Sequence, residues 1–465
     1  MRRRTRTLMG LFIALVVLAA ACSSDRDEEP VATDDESSTT SEPEDDGEAF
    51  GDLESPCGEG DGENTDTGDE QGVTADEVII GYGDDAGFPV SPGLSQETSD
   101  AVEALMAWCN DQGGINGRQI VGRYYDAKIT EVTNAMTQAC GDVFMLVGQA
   151  WALDVAQEET RLGCNLPSVP TYAVSADYAN APLSFQPFPN PVDRVGATFA
   201  YQMATLFPDE VKKTAAMFGD FAATIDTKDK VVAAYPEFGF EFLPCPQQYP
   251  ISGVPDWKPF VQRLKDCDAE VVYFSGQAFP NLQNILDAAE QLDYRPIWMT
   301  DANNYLESFA AWNTNGNGDR VYVRTAFTPF EQAESNPATQ QYVELVTENG
   351  GKISQLGEQT ASAFLLWAIA ADACGAQLTR QCVLDELATI DSWTGGGLHA
   401  EANPAENLPS GCGMVLKLEG TSWVQAAPEE EGEFDCSDDY VVEISGRVVD
   451  QAELGPDRVS TKYTG

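Results

Sequence analysis

The run Gly113-Gly114-Ile115-Asn116-Gly117-Arg118 does most to constrain the fold of this chain, because it closes one predicted helix and opens one predicted strand. Upstream, Glu77 to Tyr82 is a short apolar run of strand character. Val102, Leu105, Met106 and Cys109 then recur at helical spacing, and Gln119 to Tyr125 resumes the strand period. Paired glycines suit a helix C-cap, where a left-handed residue is needed, and Asn116-Gly117 suits the turn that follows. Alone, the run is a helix-to-strand turn. Between those flanks it marks the first βαβ unit of the chain.

Strands and helices go on alternating, the signature of a parallel sheet covered on both faces. Further predicted strands are Val143 to Gly148, Ser168 to Thr171, Lys213 to Gly219, Phe240 to Pro244, Glu270 to Ser275 and Pro296 to Thr300. That number exceeds one ordinary sheet and implies two α/β lobes. Arg320 to Phe327 reads as a crossing back to the first lobe, followed by helices near Ala338 to Asn349, Ser362 to Cys374 and Val383 to Ile390. Met414 to Leu418 crosses once more. The expected division is lobe 1 at 75–190 and 328–412, and lobe 2 at 191–327 and 413–465, with three crossings forming a hinge about which the lobes close.

In this setting the Gly-Gly-Ile-Asn-Gly-Arg run, the order of elements and Val143 to Gly148 before a helix resemble the branched-chain amino acid type of periplasmic binding protein, the solute receptors of ABC importers. The resemblance extends from about residue 75 to about 425. It implies the two-lobed α/β clamshell of the type 1 fold, a small ligand between the lobes, and the importer's membrane subunits as partners.

Arg2, Arg3, Arg4 and Arg6 precede an apolar core from Leu8 to Leu18 and then Ala19-Ala20-Ala21-Cys22, a signal peptide over 1–21 too short to span a membrane. Small residues before Cys22 resemble a bacterial lipobox, which implies a lipidated cysteine as mature N-terminus; ordinary cleavage leaving a free thiol is the alternative. From Ser23 to about Glu70 the chain holds 20 acidic residues, one Arg and almost no large apolar residue, so 22–74 reads as a disordered tether. Without these segments the net charge of −50 becomes about −35. A field of that sign repels phosphate backbones, which argues against nucleic acid as a partner.

Eleven cysteines in an exported chain indicate an oxidising compartment. Lipidation of Cys22 leaves ten. Their connectivity is not fixed by sequence, but the predicted layout suggests Cys140 with Cys164, Cys245 with Cys267, Cys374 with Cys382 and Cys412 with Cys436, leaving Cys57 with Cys109. No Cys-x-x-Cys pair occurs and His399 is the only histidine, so neither zinc nor any cofactor is expected. Asn313 to Asp319 superficially resembles a calcium loop but lacks the distal Glu. No Gly-x-Ser-x-Gly elbow accompanies His399, and hydrolytic catalysis has little support.

In open α/β sheets ligands lie beyond the carboxyl ends of the strands. For the third strand that point is Gln149-Ala150-Trp151, and the next loop contributes Ala173 and Ser175. In the resembled family these two loops bind the α-carboxylate of an amino acid, Ser175 standing where a hydroxyl would serve. Relatives that bind leucine-like ligands carry small hydroxyl residues in the first loop, so Trp151 either reshapes the pocket or packs under the helix. The resemblance places Asp301 against a ligand ammonium; it also suits a helix N-cap, and a carboxylate can do both. Phe221, Gln277 and Phe279 complete the second-lobe candidates, and Tyr82 and Phe88 offer aromatic surface from the first loop. The chain is therefore expected to be a monomeric, non-enzymatic lipoprotein on the outer face of the cell membrane, capturing an amino acid or a related amide or carboxylate. The alternative is a sensing or interaction module with the same fold.

Overall fold

The computed structural model of the protein describes residues 48–60, 64 and 70–464. The expected signal peptide, Cys22 and most of the acidic stretch lie outside the described residues. The first lobe is built on four parallel strands, β1 (Glu77–Tyr82), β2 (Gln119–Tyr124), β3 (Met145–Val147) and β4 (Ser168–Val169), in the order β2-β1-β3-β4. Helices α1 (Gln96–Asp111), α2 (Val132–Asp142) and α3 (Glu158–Gly163) connect them. Strand alternation distributes the side chains: Val78, Ile80, Met145 and Val147 enter one core, while Leu146 enters the other with Val132, Met136 and Leu166. Apolar residues on both faces are what a sheet covered on both sides requires.

The Gly-Gly-Ile-Asn-Gly-Arg run closes α1 as its composition predicts. Gly113, Gly114 and Gly117 have φ of 114°, 82° and 79°, and a Cβ on Gly114 would lie 2.0 Å from the Arg118 carbonyl oxygen. Arg118 itself is fully buried; its Nε donates to Thr74 O and its Nη atoms to Gly375 O and Ala376 O. The motif thus ends in a clamp on a distant loop, which its turn chemistry does not reveal.

The chain then forms β5 (Arg194–Gly196) and α4 (Thr198–Leu206) and enters the second lobe. There β6 (Thr214–Gly219), β7 (Gln247–Tyr249), β8 (Val271–Ser275), β9 (Ile297–Thr300) and β10 (Val321–Thr325) run parallel, while β11 (Cys412–Glu419) and β12 (Ser422–Ala427) add antiparallel strands, in the order β12-β11-β10-β9-β8-β6-β7. The strand expected at Phe240 to Pro244 is reduced to a single bridge between Phe242 and Thr214, and the edge strand forms later, at β7. Two prolines and Cys245 flank that point, and proline cannot donate to a ladder. Helices α5 (Ala222–Ala234), α6 (Lys258–Asp266), α7 (Gln283–Gln291) and α8 (Glu307–Trp312) cover this sheet. Alternation holds here too: Tyr273 and Met299 face one core, Phe274 and Trp298 the other.

After β10 the chain returns to the first lobe as α9 (Pro337–Glu348), α10 (Gln355–Ala373) and α11 (Arg380–Leu387). Helix α10 is buried nearly all round, as its run Ala361 to Ala371 with few polar residues dictates. Beyond β12, β13 (Asp435–Cys436) pairs with β11 and β14 (Val441–Glu443) with β5. A final helix, α12 (Arg447–Ala452), leads to a tail whose Lys462 and Tyr463 donate to Asp177 at 2.7 and 2.5 Å, while Arg458 pairs with Asp193 at 2.6 Å. Among the described residues no helix is long and apolar enough to cross a membrane.

Residues 48–60 correct the expectation that the chain stays unordered up to residue 74. Phe50 is fully buried and packs edge-on against Trp108. The Gly51 N–H donates to Gln341 Oε1, the Asp52 N–H to Gly396 O and the Gly58 N–H to Gly114 O. Phe50, with Leu53 packed beside it and the bridged Cys57, docks this largely polar segment. Farther on, Val73 is buried as well and the Ile79 N–H donates to Gly72 O.

Five disulfides join Cys57 to Cys109, Cys140 to Cys164, Cys245 to Cys267, Cys374 to Cys382 and Cys412 to Cys436. The first closes the longest loop, with a sequence separation of 52. Loop-closure entropy assigns that bridge about 4 kcal/mol. The double variant Cys57→Ser, Cys109→Ser is therefore expected to unfold at markedly lower denaturant, by up to about that amount in free energy. An unchanged midpoint would show that the bridge does not constrain the unfolded chain.

Candidate functional site

Between the two sheets, where the carboxyl ends of β4, β8, β9 and β10 converge, lies a cavity of about 440 Å³. The first lobe contributes the loop from Ser91 to Ser95, the start of α1, and Tyr172 and Val174 after β4; the second contributes residues after β6, β8 and β9. The crossings complete it with Thr325, Ala326 and the segment from Pro409 to Met414. Ser91 Oγ donates to Phe279 O at 3.0 Å, joining the two lobes across its mouth.

Of the residues the sequence singles out, Phe221, Gln277, Phe279 and Asp301 line this cleft. The seven first-lobe candidates do not. Tyr82 is buried under α1 with its hydroxyl on Glu103 at 2.8 Å, and Phe88 is buried in the preceding loop. Trp151 is a core residue, 1% exposed, its indole N–H reaching Tyr125 O. Gln149, Ala150, Ala173 and Ser175 are likewise buried. The reason is alternation: in the extended stretch after β4, Tyr172 and Val174 face the cleft, and Ala173 and Ser175 point into the protein.

Several backbone donors of these two loops already have acceptors. Asp85 receives the N–H groups of Ile129 and Ala152, and Asp154 receives those of Val174 and Ser175. The Ala150 N–H donates to Gly83 O and the Thr171 N–H to Gln149 O. Burial pushes the Asp85 carboxyl up to about 6 and that of Asp154 up to about 7, against the lowering effect of those same N–H groups.

Asp301 does not cap the helical turn that follows it. Its Oδ1 accepts from Arg324 Nε at 2.8 Å and its Oδ2 from the Tyr273 hydroxyl at 2.6 Å. Arg324, which sequence reasoning missed, lies at the carboxyl end of β10 with a side chain 37% exposed, against 15% for Asp301. Burial opposes its charge and Asp301 overrides that, leaving the guanidinium pKa raised. A lone arginine in the apolar strand Val321-Tyr322-Val323-Arg324-Thr325 was the available signal. Also missed were Phe188, Glu97 and Lys352, which complete the first-lobe wall. Burial pushes the Glu97 carboxyl up while Lys352 draws it down.

The protein is similar to solute receptors by family model and by fold. The periplasmic binding protein family model matches residues 81–422, and the chain belongs to that family. Three solved structures show the same two-lobed type 1 fold. A fatty acid ABC transporter substrate-binding protein from Thermomonospora curvata has TM-score 0.64 and 14% identity, covering 80% of this chain and 95% of its own. A solute-binding protein from R. palustris in complex with 4-hydroxybenzoate has TM-score 0.62 and 14% identity, covering 78% and 97%. A leucine-binding protein from Thermotoga maritima has TM-score 0.61 and 15% identity, covering 78% and 99%. A comparison with curated proteins finds no match.

His399 lies behind the cleft wall, against Phe188 and Phe327. Its Nε2 meets Ser362 Oγ at 2.8 Å, its Nδ1 donates to Ala400 O at 2.8 Å, and Trp393 Nε1 donates to the same Ser362 Oγ. Both members of this serine–histidine pair are sealed from solvent, and a backbone carbonyl stands where a catalytic carboxylate would. Among the described residues no group of three His, Cys, Asp or Glu side chains is placed to hold a metal ion.

Burial, opposed by the Ala400 carbonyl, lowers the His399 pKa to about 4. The unfolded chain, with an ordinary value near 6.5, takes up this proton first as pH falls. His399 should therefore subtract up to about 3 kcal/mol from stability as pH drops from 6.5 to 4. Urea unfolding of the wild type and of His399→Gln is expected to show the wild type's advantage shrinking across that window. A difference independent of pH would contradict a buried neutral histidine.

Proposed function

We propose that the protein is the extracytoplasmic receptor of an ABC importer, capturing a small ligand of the amino acid, amide or carboxylate class as its lobes close, and handing it to the importer's membrane subunits. The observation that carries this reading is the cleft itself, walled by both lobes and by the crossings, with the Ser91 to Phe279 hydrogen bond across its mouth. Lobe boundaries at 190/191, 327/328 and 412/413 belong to the proposal, and the split of the strands between two sheets supports them. The fold neighbours are named for fatty acid transport, 4-hydroxybenzoate and leucine, a range in which the carboxylate is the shared group. A permease needs only to distinguish closed from open lobes, so closure is the signal. The protein acts as a monomer in this role.

Isothermal titration of the purified protein against amino acids, short amides and small carboxylates tests the reading. Saturable binding of one member is expected, and silence across the whole panel would sink solute capture.

Attachment is part of the same proposal: Cys22, after removal of residues 1–21, carries the lipid that holds the protein on the outer face of the cell membrane. The four arginines, the apolar run and the three alanines before Cys22 support this. Several acyl chains give stable anchoring, and the acidic stretch adds no attraction to anionic lipid. The wild type should resist salt extraction and yield to detergent, and Cys22→Ser should appear in the medium. A serine variant that stays with membranes would point to a different attachment.

A further inference from the structure

The cleft carries two acidic and two basic side chains, and their pairing decides what charge it can accept. Asp301, the one placed to meet a ligand ammonium, already holds Arg324 Nε and the Tyr273 hydroxyl. Asp301 is therefore not left as an uncompensated anion, which an ammonium would need. Glu97 faces Lys352. The loops that would grip an α-carboxylate are partly engaged too, because Asp85 takes the Ala152 N–H and Asp154 those of Val174 and Ser175 from within the protein. The acid expected to meet the ammonium of a zwitterion is therefore taken, and part of the donor set expected for its carboxylate is engaged.

Arg324 is the reverse case. Asp301 fixes it through Nε alone, and among the described residues no partner is found for its two Nη atoms, while the side chain remains open to the cleft. A guanidinium held at one edge and free at the other presents parallel donors that suit a carboxylate. Behind it, Lys230 is buried on Asn190, another residue of the cleft wall; burial, then the neighbouring Arg324, lowers its pKa to about 7. Much of the rest of the cleft lining is apolar. Phe188, Phe221, Phe279, Val174, Leu306 and Leu356 each leave part of their surface exposed in the cavity, and Phe279 is braced edge-on by Phe309 at 5.8 Å.

We infer that the ligand is a carboxylic acid with an apolar body, its carboxylate on the Nη atoms of Arg324 and its body between Phe221 and Phe279, with Asp301 and Tyr273 positioning Arg324 instead of receiving an ammonium. The inference rests on solute capture as proposed above and narrows it to one chemical class. A ligand of this kind has no ammonium to satisfy, and its hydrocarbon would cover the aromatic surface that lines the cleft.

Isothermal titration of the full mature protein with octanoate, benzoate, their neutral amides octanamide and benzamide, and leucine tests it. One of the two acids should bind, with its amide weaker by about 30-fold or more, as removal of one partner of a desolvated charge pair implies. Arg324→Gln should abolish that preference while its circular-dichroism melting curve stays cooperative. Arg324→Lys, which keeps the charge but loses the fork, should retain part of it. Asp301→Asn should weaken acid binding without creating leucine binding. Equal binding of acid and amide, or leucine binding with both acids silent, overturns the inference and leaves solute capture standing. Silence of these probes together with silence of the wider panel removes both. The acid-over-amide comparison uses the wild type alone, so it decides the matter even if the arginine variants fail to fold.

Discussion

The geometry of the cleft depends on a short antiparallel contact where the chain leaves β10. The Thr328 N–H donates to Leu398 O and the Ala400 N–H to Ala326 O, bringing Phe327 opposite His399. Arg324 lies three residues before Phe327, so this pairing sets how far the guanidinium stands from the first-lobe wall. The contact is dry: Phe327 is 1% exposed and packs on Phe188, itself a wall of the cavity. A neutral His399 completes the packing. Ionising it would place an unpaired charge at the joint through which the two lobes are connected.

Charge acts at two ranges in this molecule. The net charge of −50 over the chain gives a field that opposes the approach of any anion. At close range Arg324, held by Asp301 through Nε, presents its other edge to the cleft, where partial burial strengthens Coulomb interactions. Such an arrangement favours discrimination over capture rate: an anion gains only once it has entered the cleft.

Much of the fold was legible from patterns that physics enforces locally. The turn glycines of the Gly113 to Arg118 run have the positive φ that their sequence demands, and the apolar runs of β1, β6, β8 and β9 lie within a residue of their predicted positions. β12 and the β5–β14 ribbon were not legible, since short mixed strands at a sheet edge carry no distinct period. The site was readable in part. Phe221, Gln277, Phe279 and Asp301 follow strand ends directly and reach the cleft. Ala173 and Ser175 do not, because a shift of one residue in an extended segment reverses the face. Arg324 escaped notice because it lies within a strand, not in the loop after it. The docking of residues 48–60 escaped because composition averages over a segment, and Phe50 with Leu53 and the bridged Cys57 changes its outcome.

The C-terminal tail has a practical bearing on how the protein is handled. Asp177, 2% exposed, receives Gln451, Lys462 and Tyr463, and the Lys462 ammonium is its ion-pair partner. Its carboxyl pKa is lowered because those donors outweigh burial. Removing the last few residues would leave a buried anion without its cation, beside Ala176, whose N–H is held by Asp226 of α5. The end of the chain is thus structural masonry at the foot of the hinge. A truncation that removes Lys462 and Tyr463 therefore strips a buried carboxylate of its donors and is not a neutral change.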